Sequence, residues 1–199
     1  MRRKQLSREK WAVFLDRDGT IIEETGYISD PEKVTLLVNV ASSIARLNRK
    51  RVPVVVISNQ AGVARGLFSV EDIETVNQKL RELLAVHGAS LDAIYYCVHH
   101  PDYDVECDCR KPKPGLLLKA AEEHDIDLAR SFMIGDKLTD IQAGRAAGTY
   151  TIFVRTGFGS EELEKNSDEI LRLTHKVCEN STEAIEWILE QRFGSRRAG

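Results

Sequence analysis

The sequence has no excess of positive charge. Its formal net charge is −3 and its isoelectric point is near 6.0. This excludes nucleic acid as the principal partner, because a phosphate backbone demands a basic face. The terminal segments MRRK and RRAG read as frayed, solvated ends. No apolar run reaches membrane-span length, and the first thirty residues lack a signal-peptide core. A soluble, cytoplasmic protein without a membrane partner is therefore expected. Cysteine is scarce, with four in 199 residues and three of those within 97–109. So few, so clustered, do not make the disulfide framework of a small secreted domain. There is no internal repeat, no low-complexity tract and no exposed apolar stripe, so a monomer is expected. The length suits one domain, residues 1–199, able to bury a core without staples.

Short apolar runs rich in β-branched residues alternate with longer amphipathic ones. WAVFLD (11–16), VPVVVIS (52–58), AIYYCVH (93–99), SFMIGD (131–136) and TIFVRT (151–156) have the continuous apolar character of buried strands. Residues 38–50, 69–88, 115–125, 138–148 and 181–194 carry helical spacing. Ser69 with Asp72 marks the start of the second helix and Gly88 its end. This β/α cadence predicts an α/β fold: a three-layer, Rossmann-like parallel sheet.

In such sheets ligands bind outside the carboxyl ends of the strands. Four of these ends carry DRDGT, SNQAG, a cysteine loop running into RKPKPG, and GDKLTD. Asp16 and Asp18, two apart in extended chain, can face one cavity. Their mutual repulsion calls for a cation or a division of labour. Asp136 and Asp140 add charge to the same rim, and such a cluster suits Mg²⁺, a hard cation that shares its shell with phosphate. Ser58, Arg110, Lys111 and Lys137 can hold that phosphate. Taken alone, DRDGT is equally an acidic turn. The ordered set of strand ends turns the balance toward a site.

The order DRDGT, SNQ, lysine, GDKxxD resembles the haloacid dehalogenase superfamily of phosphatases, over residues 11–155. FLDRDGTIIEETGYI, ISNQAGVARG, CVHHP…CDCRKPKPG and IGDKLTDIQAG are similar to its heptose bisphosphate phosphatase branch. The resemblance implies a Mg²⁺-dependent phosphoric monoester hydrolase acting on a small phosphorylated sugar, with histidinol phosphate as the alternative substrate. It implies that Asp16 is the nucleophile forming an aspartyl-phosphate. Asp18 is implied as general acid and then base, its pKa raised by acidic crowding. Ser58 and Lys111 are implied to hold the transferring phosphoryl oxygens. Mg²⁺ is assigned to Asp16, the Asp18 backbone carbonyl and Asp136. Substrate contacts fall to Glu24, Thr25, Gly26, Tyr27, Asn59, Gln60, Ala61, Arg110 and Lys137, with Asp140 orienting Lys137 or Ser58. The intervals between motifs leave no room for a cap domain.

Cys97, His99, Cys107 and Cys109 have the composition of a closed structural zinc set, at spacing tighter than the usual finger. The plainer alternative is a core thiol at Cys97 with two free thiols. The resembled family carries zinc at the matching positions. Since Arg110 and Lys111 follow Cys109 directly, a pinned loop pins the phosphate-binding groups. His100 is expected beside the cluster or exposed, Cys178 packed or free, and His87, His124 and His175 in solvent. Two other classes compete: a zinc-bearing binding module with structural aspartates, and a phospho-accepting signalling domain. The second is disfavoured because Asp18 would turn the phospho-intermediate over.

Overall fold

A computed structural model describes residues 10–103 and 106–194; the terminal MRRK and RRAG segments lie outside them. Six strands and six α-helices alternate along the described residues. The strands are β1 (Val13–Leu15), β2 (Val54–Asn59), β3 (Ala93–Cys97), β4 (Phe132–Gly135), β5 (Tyr150–Val154) and β6 (Lys176–Cys178). The helices are α1 (Val40–Arg49), α2 (Val70–Val86), α3 (Gly115–His124), α4 (Leu138–Ala147), α5 (Gly159–Leu173) and α6 (Ser181–Phe193). The strands form one parallel sheet in the order β3-β2-β1-β4-β5-β6. The α/β class and parallel sheet expected from the sequence are what is observed.

Side chains leave a strand alternately to the two faces. Val13 and Leu15 of β1 and Val54 and Val56 of β2 join one apolar cluster with α1, α2 and α6. Ala12, Phe14, Val55 and Ile57 join another with α3 and Ala143 of α4. Phe14, Leu15 and Ile57 are wholly buried, each contributing roughly 1.5–3 kcal/mol. This continuous two-sided burial is why β1 and β2 read as unbroken apolar runs.

Helix α2 shows how local sequence sets the ends. Asp72 N donates to Ser69 Oγ at 3.2 Å while Ser69 N donates to Asp72 Oδ2 at 2.8 Å, a complete capping box built with Asp. At the other end Gly88, at φ +69°, lets its own amide and that of Ala89 turn back to Ala85 O and Leu84 O, which closes the last turn.

Two elements were not legible in the sequence. Helix α5 buries only Gly159 and Ile170, so its charge-rich surface masks its amphipathicity. Strand β6 is three residues at the sheet edge. Both have structural work: Glu162 of α5 accepts from Leu138 N at the start of α4, and β6 pairs in parallel with β5. Among the described residues no helix is long and apolar enough to cross a membrane.

Candidate active site

The strand order reverses at β1: β2 and β3 build outward on one side, β4 to β6 on the other. A crevice therefore opens between the loops beyond β1 and β4, the topological switch point where ligands bind. Asp16 directly follows β1, and its amide donates to Ile134 O at 2.9 Å. Ser58 is inside β2, and Asp136 directly follows β4.

Lys111 comes from the irregular segment between β3 and α3, yet it is buried, at 3% exposure. The Asn59 side chain fixes it by imitating a strand neighbour: Asn59 Nδ2 donates to Lys111 O and Lys111 N donates to Asn59 Oδ1, both at 3.1 Å. Lys111 Nζ then reaches Ile57 O at 2.8 Å, Asp16 Oδ1 at 2.9 Å and Asp140 Oδ1 at 2.6 Å. Burial acts to lower the Lys111 pKa, but Asp140 and Asp16 outweigh it and the net shift is upward. A fixed ammonium thus lies beside Asp16.

Carboxylate oxygens of Asp16, Asp136 and Asp140 lie within 4.8 Å of one another, all three residues buried. Asp136 Oδ2 accepts from Phe158 N at 2.9 Å, while its Oδ1 is buried without a hydrogen-bond partner. A buried orphan oxygen is costly, and a hard divalent cation is the partner that carboxylates of this kind accept. Burial, with the charges of Asp140 and Asp16, pushes the Asp136 carboxyl up to about 8. Gly19 (φ +79°) and Gly157 (φ +57°) make the close approach possible, since a Cβ on either would meet Asp136 Oδ2 at 2.4 Å. Asp140 was expected to orient Lys137 or Ser58. It accepts from Lys137 N at 3.0 Å, but its other oxygen pairs with Lys111 rather than approaching Ser58.

Asp18 departs from expectation. The acidic crowding foreseen there falls on Asp136 and Asp140. The Asp18 carboxylate instead faces the guanidinium of Arg17, with Nη2 to Oδ2 at 3.1 Å. The reason is geometric: β1 ends at Leu15, the chain leaves extended geometry, and adjacent side chains can meet. Gln60 Nε2 donates to both Asp18 Oδ2 and Ser58 Oγ at 2.8 Å, tying the second aspartate to the hydroxyl.

Above these groups is a cleft of about 410 Å³ lined by Asp16, Asp18, Ser58, Asn59, Gln60, Ala61, Arg110, Lys111 and Lys137, and by Glu24, Gly26 and Tyr27 of the loop after β1. Thr25 is exposed and does not line it. Glu24 accepts from Gly26 N at 2.8 Å and from Lys137 Nζ at 3.1 Å, so one carboxylate joins the first loop to the fourth. Sequence reasoning missed Thr139 and Phe158, which also line the cleft, with Lys137 Nζ 4.6 Å from the Phe158 ring centre. Phe158 follows β5, a fifth strand end that the same positional rule covers.

Beside the cleft, donor atoms of Cys97, His99, Cys107 and Cys109 also lie within 4.8 Å of one another. Four of their contacts are 3.4–3.6 Å and Cys97 Sγ to Cys109 Sγ is 2.7 Å. A tetrahedron with 2.3 Å metal–sulfur bonds has edges of about 3.8 Å, so a metal would require opening the last contact by about 1 Å and the other sulfur–sulfur contacts by a few tenths of an ångström. Burial raises the pKa of the Cys97 and Cys109 thiols, a penalty that a central cation would relieve. Arg110 Nη1 donates to His99 O at 3.1 Å, fastening the basic segment to the cluster. His100 is half-buried and contacts Arg65 Nη2 at 3.0 Å. His87 and His175 are exposed as expected, Cys178 is packed in the core, and His124 is half-buried with its Nε2 3.0 Å from the Tyr95 hydroxyl.

Residues 108–184 match the HAD-hydrolase-like family model. Over 186 residues the chain is 42% identical to the D-glycero-D-manno-heptose-1,7-bisphosphate 7-phosphatase of Thermosynechococcus vestitus, covering 89% of this chain and 94% of that one. It is 42% identical over 167 residues to the D-glycero-beta-D-manno-heptose-1,7-bisphosphate 7-phosphatase of Escherichia coli K12, covering 80% and 87%. The crystal structure of D,D-heptose 1,7-bisphosphate phosphatase from B. bronchiseptica, complexed with magnesium and phosphate, superposes with a TM-score of 0.84 at 35% identity, covering 91% and 99%. Fold, aspartate-lined crevice and relatives agree: the chain belongs to the haloacid dehalogenase superfamily, as a phosphoric monoester hydrolase closely related to the heptose bisphosphate phosphatases.

Proposed function

We propose that the chain is a Mg²⁺-dependent phosphatase that removes the 7-phosphate of D-glycero-D-manno-heptose 1,7-bisphosphate through an aspartyl-phosphate on Asp16. The observation that carries this reading is Asp16, held 2.9 Å from the buried Lys111 ammonium at the floor of a cleft. In the first step an Asp16 oxygen attacks phosphorus, the bond from phosphorus to the sugar oxygen breaks, and Asp18 delivers a proton to that oxygen. In the second, Asp18 takes a proton from water, whose oxygen attacks phosphorus and releases Asp16. Lys111 and the Ser58 hydroxyl hold the phosphoryl oxygens in place during both. Mg²⁺, held by Asp16, the Asp18 backbone carbonyl and Asp136, would neutralise charge on the phosphoryl group. Arg110, Lys137, Gln60, Ala61, Glu24, Gly26 and Tyr27, which line the cleft, contact the sugar and its second phosphate. Among the described residues the walls of the cleft are these loops themselves.

The substrate reading is tested by phosphate release, with Mg²⁺, from heptose 1,7-bisphosphate and histidinol phosphate side by side. Strong preference for the heptose with the 1-phosphate left as product is expected. Preference for histidinol phosphate would overturn the substrate while sparing the chemistry.

Mg²⁺ is also expected to stabilise the fold more as pH rises. Asp136, whose carboxyl is pushed up to about 8, keeps a proton in the metal-free fold that it loses in the unfolded chain near pH 4. Its contribution to metal-free stability is therefore present below that pH and lost progressively up to about 8. The cation removes this penalty, so the melting-temperature gain on adding Mg²⁺ should be larger at pH 8 than at pH 6. An equal gain at both would refute Asp136 as a ligand.

We read the Cys97, His99, Cys107 and Cys109 set as a structural zinc site that holds Arg110 and Lys111 in place. Zinc chelation, with Mg²⁺ restored in excess, should lower the melting temperature by about 5 °C or more and slow phosphate release. Cys107→Ser should reproduce both effects. Unchanged rate and stability would sink the zinc reading.

A further inference from the structure

We propose that Arg17, the residue between the two aspartates, is a positioning residue that sets the Asp18 carboxylate for proton transfer to the leaving oxygen; this rests on the reading of Asp18 as general acid. Arg17 is 1% exposed, among the largest fully buried side chains. A guanidinium without water is retained only where its donors are met. Arg17 Nε contacts both Asp18 oxygens at 3.2 and 3.3 Å and Nη2 reaches Oδ1 at 3.2 Å. This is fork-like engagement that fixes the carboxylate plane as well as its place. The remaining arm, Nη1, donates to Asn77 Oδ1 at 3.0 Å.

Asn77 makes the arrangement informative. It lies at a buried position of α2 among Ile73, Val76, Leu80 and Leu84, where an apolar residue would ordinarily pack. Its side-chain carbonyl anchors the far arm of the guanidinium, so the fork stays turned toward Asp18. The Arg17 backbone is equally constrained, its carbonyl accepting from Ile21 N at 2.9 Å and Ile22 N at 3.1 Å. Arg17 from one side and Gln60 from the other therefore hold Asp18 at a set distance from Ser58.

A purely structural ion pair and a positioning role make different predictions for different leaving groups. An alkyl oxygen needs Asp18's proton as it departs, whereas p-nitrophenolate departs without one. The quantity to compare is kcat/KM, which ends at departure of the leaving group and omits the shared hydrolysis step. Arg17→Met should lower kcat/KM for heptose 1,7-bisphosphate by about 10²-fold, the loss that misplacing a catalytic group by an ångström brings. For p-nitrophenyl phosphate the loss should stay below about 5-fold. Arg17→Lys, which keeps the charge without the fork, should lie between. Asn77→Asp offers Arg17 a rival carboxylate and should show the same selectivity at about 10-fold, which keeps the test open if Arg17→Met does not fold. Asp18→Asn provides the reference. If Asp18→Asn is selective for the alkyl ester while Arg17→Met and Asn77→Asp slow both esters equally, Arg17 is structural only and the inference fails alone. If Asp18→Asn shows no selectivity, the acid role of Asp18 fails and takes this inference with it.

Discussion

Asp16→Asn is expected to lose phosphatase activity by about 10⁴-fold or more, the scale of removing a nucleophile, without loss of stability. An amide of the same shape cannot attack phosphorus. It also leaves the pairing of Lys111 with Asp140 at 2.6 Å in place. Asp16 is one of the charges that push the Asp136 carboxyl up, so neutralising it eases a buried repulsion in the metal-free protein. The two readouts should therefore separate, with activity gone and the metal-free melting temperature equal or higher. Parallel loss of both in a phosphate-release assay and a thermal melt would mean that Asp16 is a structural aspartate. Retention of full activity would revive the binding-module alternative.

Lys111→Met should lose on both counts. The lysine is one of the donors holding the transferring oxygens, and removing such a donor costs about 10²–10³ in rate. It is also the cation between Asp16 and Asp140, and deleting one member of a buried ion-paired set destabilises by roughly 3–5 kcal/mol because a buried charge is left behind. At 3% exposure for Lys111 and 0% for Asp140, solvent screening does little to reduce that figure. The pH dependence identifies the stranded group. Burial already pushes Asp140 up to about 6 with Lys111 present, and without it the carboxyl moves higher. The fold then holds a proton that the unfolded chain releases near pH 4. Stability of the variant should fall as pH rises from there through neutrality, more steeply than in the parent. A chemical-denaturation series from pH 5 to pH 8 reads this directly, and parallel curves would contradict the assignment.

What could be read from the sequence was what adjacent residues determine together. The two-sided burial of β1 and β2 leaves unbroken apolar runs, and the polar residues after each strand converge because parallel strands end on one side. Ser58, Lys111 and Asp136 are candidates on that positional rule alone. What could not be read depends on partners distant in the chain. Lys111 is held by Asn59, and by Asp140 on the far side of β4, so Asp140's main partner was not foreseen. Asp16 and Asp18 do face one cleft, but the chain turns after Leu15 and brings the Arg17 guanidinium against Asp18, a contact that the spacing of the motif does not reveal. Helix α5 escaped notice since a helix that buries two residues resembles a solvated charged linker. Phe158 was within reach, as the strand-end rule applied to β5 points to it.

The aspartyl-phosphate is the central claim, and it can be trapped. Asp18→Asn removes the base that turns the intermediate over, while p-nitrophenyl phosphate needs no acid to form it. Mixing the two with Mg²⁺, quenching in acid and mapping the digested protein by mass spectrometry should place a phosphoryl group on Asp16. A phosphoryl group on another residue, or none at all while p-nitrophenol is released in a burst, would contradict the mechanism.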